Sequence, residues 1–231
     1  MFPIHDDNPT RITPYVTYVL LSACVLVFIW QISLGDAAQQ AVYSFGVIPS
    51  VLFANKSLPV ELEILPAWLT IFSSMFLHGG WMHLIGNMLY LWVFGNNVED
   101  AMGHSRFIVF YLACGLLAAL TQAVLNPDSE IPMIGASGAI SGVLGAYLLL
   151  HPRARILVVI PIIIVVYTPW IAAYWVLGFW FVLQLINSLV SASDAGGVAY
   201  GAHLGGFVAG MLLIPLFKYR HVSLFSPSKR R

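Results

Sequence analysis

The chain has 231 residues, 59% hydrophobic and only 9% charged, against about 25% charged in soluble domains, so lipid must meet much of its surface. Ten basic residues balance ten acidic ones without a basic stripe, which excludes a nucleic-acid binder, and two cysteines, Cys24 and Cys114, both in apolar runs, exclude a disulfide scaffold. A mean hydropathy of +0.85 and recurring long apolar runs predict an all-α polytopic membrane protein built as one embedded domain.

Residues 1–13 form a short N-terminal segment. The first predicted span runs from Pro14 to Leu34. Its Leu21-Ser22-Ala23-Cys24 is similar to a lipoprotein processing site, but the apolar run continues past the cysteine, so a signal anchor is expected rather than a cleaved leader. Residues 35–67, with Pro49, Pro59 and Pro66, are expected as a long outer loop packed on or dipping into the membrane surface. The second span covers Trp68 to Phe94, the third Phe107 to Leu125, and the fourth, which is short, Ser137 to His151. The fifth covers Trp170 to Val190 and the sixth about Ala199 to Phe217, together bounding a domain of residues 14–217. One helix from Ile156 to Val190 would be roughly 50 Å long against a bilayer core of about 30 Å. Residues 156–169, interrupted by Pro161 and closed by Thr168-Pro169, are therefore read as a re-entrant or interfacial piece. Residues 218–231 are a basic tail.

Loop charge sets the orientation. With six spans and both termini cytoplasmic, the inner segments hold Arg11, Arg106, Arg153, Arg155, Lys218, Arg220, Lys229, Arg230 and Arg231, while the outer ones hold Lys56 alone. That asymmetry follows the positive-inside rule.

Polar side chains within spans cost roughly 3 kcal/mol on insertion scales, so each needs a reason. Ser73, Ser74 and Ser141 are expected to bond a carbonyl one turn back. Gln122, Gln184 and Asn187 are expected as interhelical hydrogen-bonding residues or as residues near helix ends. Ser137, in Gly135-Ala136-Ser137-Gly138, stands where a proline-bearing loop enters a helix, a place that favours developing negative charge. The fourth span is roughly 22 Å long, which puts Ser137 on the order of 8 Å below the outer surface. His203 lies near the outer end of the sixth span. The small-xxx-small patterns Gly138-Ala-Ile-Ser-Gly142, Gly201-Ala-His203-Leu-Gly205 and Gly206-Phe-Val-Ala-Gly210 allow the two helices to approach closely.

A serine beside a histidine is the arrangement of an activated nucleophile. No acidic residue lies mid-span, so a dyad is favoured over a triad, with the histidine oriented by packing and neutral groups. His83 and Asn87, four apart, share a helix face and can donate hydrogen bonds to an oxyanion beside the Ser137 N–H. His78, five before His83, points elsewhere and is read as structural. A zinc site formed by converging histidines is disfavoured because no His-Glu-x-x-His motif occurs. No metal or cofactor is called for.

These residues resemble a rhomboid intramembrane serine protease of the bacterial six-helix type. The resemblance rests on His78-Gly-Gly-Trp-Met-His83-Leu-Ile-Gly-Asn87, Gly95-Asn-Asn-Val-Glu99-Asp-Ala-Met-Gly103, Gly135-Ala-Ser137-Gly138 and Ala202-His203-Leu-Gly205-Gly206. It implies a rhomboid-like bundle in which Ser137 is the nucleophile, His203 the general base, and His83 and Asn87 oxyanion partners. Gly135 and Gly138 would line the substrate-binding turn, and Glu99 would be structural near the inner loop. The Trp-Arg pair that precedes the second span in some members is absent, since Leu69 and Thr70 follow Trp68. The aromatic that packs under the histidine in some members is here Ser141.

The implied function is cleavage of transmembrane segments of other membrane proteins, with the active site opening to the outer side of a bacterial inner membrane. The partners are those substrates and membrane lipid. The alternative is a non-catalytic rhomboid-like factor that binds membrane clients for quality control. A small transporter is disfavoured because no inverted repeat is visible.

Overall fold

The computed structural model describes residues 1–162, 165–190 and 197–225. The tail residues Lys229, Arg230 and Arg231, counted among the inner charges, lie outside them.

Helix α1 (Tyr15–Ser33) is followed by the short helices α2 (Ala38–Phe45), α3 (Pro49–Leu52) and α4 (Ala67–Ser73). Next come α5 (Trp81–Met102), α6 (His104–Leu125), α7 (Ser137–Leu150), α8 (Ala173–Val190) and α9 (Tyr200–Phe217). Four of these, α1, α6, α8 and α9, are long and apolar enough to cross a membrane, while α7 is apolar but shorter. The predicted fourth and sixth spans agree with α7 and α9 to within one residue. The second span is corrected: α4 and a 3-10 turn end at Phe76, His78-Gly79-Gly80 breaks the helix, and α5 restarts at Trp81 and runs on to Met102. Two consecutive glycines disfavour helix strongly enough to split one apolar run into two pieces.

The all-α expectation is also corrected. Strand β1 (Phe2–Asp6) pairs antiparallel with β2 (Arg155–Ile162), which pairs in turn with β3 (Val165–Tyr167) and β4 (Trp170–Ala172). Of the piece expected as re-entrant or interfacial, residues 156–162 and 165–167 are thus strand. Ala154, Ile156 and Val158 are buried at every second position while Leu157 is only half-buried, which is strand periodicity. Pro161 and the β-branched run around it oppose a helix here.

Helix α7 is the axis of the bundle. Ala139 through Tyr147 are buried without interruption, because α5, α6 and α9 pack around it. Fourteen residues rise only about 21 Å. Protein encloses α7, so it need not match the bilayer thickness as a lipid-facing helix must. Between helices in lipid, van der Waals contact and hydrogen bonds hold the structure, since lipid tails are as apolar as leucine. Glycines supply that contact here. A Cβ on Gly206 would overlap the Gly138 carbonyl, one on Gly210 the Gly142 carbonyl, and one on Gly145 the Phe207 carbonyl.

Both ends of the described chain gather at one end of the bundle. Asp100 accepts from the Arg11 and Ile12 N–H groups at 3.0 Å each, and the Asn97 amide donates to Asn8 O at 2.7 Å. The Tyr219 N–H donates to Ala101 O at 2.9 Å, and the Phe225 N–H to Leu149 O at 2.7 Å. Glu99, fully buried there, accepts from Val16 N–H (2.9 Å), Thr17 N–H (2.8 Å), Thr17 Oγ1 (2.7 Å) and His104 Nδ1 (2.6 Å). A buried carboxylate is costly unless it is paired in this way, and here it caps the positive end of α1. Asp6 on β1 accepts the Tyr147 hydroxyl at 2.6 Å, tying the sheet to α7.

Candidate active site

Ser137 and His203 open their helices at the end of the bundle opposite the termini. The Ser137 hydroxyl lies 2.8 Å from His203 Nε2, the geometry of an O–H donating to a neutral imidazole. Two features create the approach. Gly138 and Gly206 let α7 and α9 touch through their backbones, and the Gln122 side-chain carbonyl on α6 accepts the Ala202 N–H at 3.2 Å, fixing the first turn of α9.

The turn before Ser137 is held as firmly. Gly135 N–H donates to Ser74 O at 2.8 Å, and Val47 pairs with Met133 across an isolated bridge. Gly135 has φ +119°, which L side chains rarely adopt, and a Cβ there would come within 2.7 Å of the His83 ring and 3.6 Å of Asn87 Nδ2. His83 and Asn87 therefore converge on the backbone two residues before the serine. Asn87 Nδ2 is buried and has no hydrogen-bond partner among the described residues. The α7 ladder begins with Ile140 N–H onto Ala136 O, leaving the Ser137 and Gly138 N–H groups ahead of it.

His78 does not point away as expected: its ring stands edge-on to that of His83, with centroids 5.2 Å apart at 66°, but its own bonds go elsewhere. It is fully buried, its backbone is clasped by Gln31 (Gln31 Nε2 to His78 O at 2.9 Å, His78 N–H to Gln31 Oε1 at 3.2 Å), and its Nδ1 sits 3.1 Å from Phe76 O. Ser141 donates to Ser137 O at 2.7 Å, and Ser74 to Ile71 O at 3.0 Å, as expected for lone serines in membrane helices. Among the described residues no group of three metal-ligating side chains occurs.

Two neighbours of His203 come from α8. Gln184 Oε1 is 2.7 Å from His203 Nδ1, and the Trp180 ring lies over the imidazole with centroids 5.8 Å apart at 33°. Sequence reasoning singled out Gln184 only as an interhelical residue and missed Trp180. Their i, i+4 spacing on the inward face of α8 was the available signal.

A family model described as the Rhomboid domain matches residues 66–220, a range that contains each of these side chains except Gln31 and Val47. The chain belongs to the rhomboid family. Rhomboid protease GluP of Bacillus subtilis is 33% identical over 136 residues, which cover 58% of this chain and 24% of the relative. Rhomboid protein 1, mitochondrial, of Saccharomyces cerevisiae is 30% identical over 74% of this chain and 49% of its own length. Rhomboid protease GlpG of Salmonella choleraesuis is 26% identical over 92% of this chain and 66% of its own length. The chain thus spans about a quarter of the first relative and about half of the second. With its apolar helices, this rhomboid is an integral membrane protein.

Proposed function

We propose that this rhomboid is an intramembrane serine endopeptidase that cuts transmembrane segments of other membrane proteins near their outer ends. The observation that carries the reading is the 2.8 Å contact between Ser137 Oγ and His203 Nε2 at the mouths of two close-packed helices. His203 takes the serine proton as Oγ attacks the scissile carbonyl, then returns it to the leaving amine, and water repeats the sequence on the acyl-enzyme. His83, Asn87 and the Ser137 N–H are the donors for the oxyanion, supported by their convergence around Gly135 and by the unpartnered Asn87 amide. Gly135 and Gly138 keep this turn free of side chains, and His78 and Glu99 serve structure.

The membrane arrangement belongs to the same reading. Residues 14–217 form the protease domain with six crossings, α5 and α7 joining the four longer apolar helices, and residues 1–13 and 218–231 lie in the cytoplasm. The gathering of Arg11, Arg106, Arg153, Arg155, Lys218 and Arg220 at the end bearing the termini supports it, with Lys56 at the other end beside Glu130. The active site then opens to the outer side of a bacterial inner membrane. Incubating purified protein with a fluorophosphonate and with a reporter carrying one transmembrane segment tests the proposal. Labelling and cleavage that vanish in Ser137→Ala and His203→Ala are expected. Cleavage that persists in Ser137→Ala overturns it, and a folded, unlabelled, inactive parent returns the client-binding alternative.

A further inference from the structure

In the proposed mechanism His203 must receive a proton on Nε2, so in the resting enzyme its proton has to reside on Nδ1. A neutral imidazole carries one N–H, and the group that its other nitrogen meets decides which nitrogen bears it. Among the described residues no carboxylate is bonded to the His203 ring. Facing Nδ1 instead is the side-chain oxygen of Gln184, at 2.7 Å, an acceptor that requires Nδ1 to be the protonated nitrogen. Ser137 and Gln184 thus hold the two ring nitrogens from α7 and α8, while Trp180 covers one ring face and Tyr200 stands edge-on at 6.3 Å and 88°.

The placement is specific to one face of α8. Ala173, Val176, Leu177, Trp180, Phe181, Gln184, Asn187 and Ser188 are its buried or half-buried side chains, at helical spacing, and apart from Gly178 the rest are exposed. Gln184 is the member of that stripe whose oxygen meets the imidazole, one turn beyond the tryptophan whose tilted ring faces it.

We propose that Gln184 is a positioning residue whose carbonyl fixes the tautomer and rotation of His203, making the working unit Ser137–His203–Gln184 with its third member on α8. This rests on the serine-protease reading and deepens it. A neutral acceptor does here what a buried carboxylate does in soluble triads, without placing a charge among apolar helices. Trp180 supplies from α8 the aromatic surface that Ser141 on α7 cannot.

The test compares the full-length parent with Gln184→Met, which keeps length but removes the acceptor, and Gln184→Glu, which keeps it. Ser137-dependent labelling of the parent by a fluorophosphonate establishes the underlying reading independently. Gln184→Met should then label roughly 10- to 100-fold more slowly, with a matching fall in kcat and little change in KM. Gln184→Glu should recover most of the labelling rate and displace the pH–rate profile, because a charged acceptor faces the imidazole. A residue that only packs α8 would leave that profile in place. An active parent whose Gln184→Met variant labels at the parental rate overturns the proposal, as does a Gln184→Glu profile superimposable on the parent's. The second criterion holds even if the methionine variant does not fold.

Discussion

The carbonyl of Gly138 lies against the Cα of Gly206, with no room between α7 and α9 for a methyl group. Ser137 and His203 are each within a turn of that contact, so the separation of the two helices sets the separation of the pair. Gly206→Ala should force the helices apart and lower the melting temperature in detergent, with a cost of about 1–3 kcal/mol typical of overpacking. Cleavage should fall by more than the lost folded fraction. Gly86 and Gly178, whose Cβ positions are open, provide the control: alanine there should be neutral or stabilising by up to about 1 kcal/mol. Equal behaviour of all three variants would show that helix contact does not set the geometry.

His83 and Asn87 meet around Gly135, whereas His78 is engaged with Gln31 and Phe76. His83→Ala and Asn87→Ala should reduce kcat by a factor of about 10² to 10³ with modest loss of stability. His78→Ala should chiefly lower the melting temperature. Thermal melts and turnover on the same preparations distinguish these outcomes, and a uniform loss of folding would assign all three to structure.

Asp6 lies on β1, outside the membrane-spanning segments, where it accepts the hydroxyl of Tyr147. Burial, with a smaller push from Asp7, raises its carboxyl from an ordinary 3.8 to about 6, although the Tyr147 hydroxyl and His5 pull the other way. Between those values the folded protein holds a proton that the unfolded chain releases. Stability from this group is therefore complete below pH 4 and declines as pH rises through 6, by about 3 kcal/mol at most. Asp6→Asn, which keeps an acceptor for Tyr147, should melt above the parent at pH 8 and match it near pH 4. A pH-independent difference would remove Asp6 from the account.

Orientation is testable with single cysteines at Glu61 and Arg220 in a background where Cys24 and Cys114 are alanine. An impermeant thiol reagent should label position 61 from outside intact cells and position 220 only after lysis. Labelling of both from one side would refute six crossings with cytoplasmic termini.

Substrate choice follows from the depth proposed for Ser137. A helical peptide bond has its carbonyl engaged, so the segment must unwind before attack, and Gly or Pro near its outer end lowers that cost. Cleavage should fall there, after a small residue, and replacing the helix breakers by leucine should suppress it without affecting membrane insertion. A poly-leucine segment cut equally fast would contradict the argument.

Apolar run length by itself located α1, α6 and α9 within a few residues, because a lipid-facing helix must be long and uncharged whatever it packs against, and α7 because a helix enclosed by apolar neighbours must be uncharged too. Ser137 and His203 were legible for a related reason: polar groups at matched depth on glycine-rich faces stand out where polarity is costly. The sheet was not, because β1 and β2 are more than a hundred residues apart in sequence and, among the described strands, β1 pairs with β2 alone. Nor was the setting of His203. Gln184 and Trp180 lie 19 and 23 residues before it on another helix, and the rotation of α8 about its axis decides whether they meet the imidazole or the lipid. Local hydropathy specifies that α8 is a helix. The packing of its Trp180 and Phe181 rings against His203 and Phe207 on α9 specifies which way it faces.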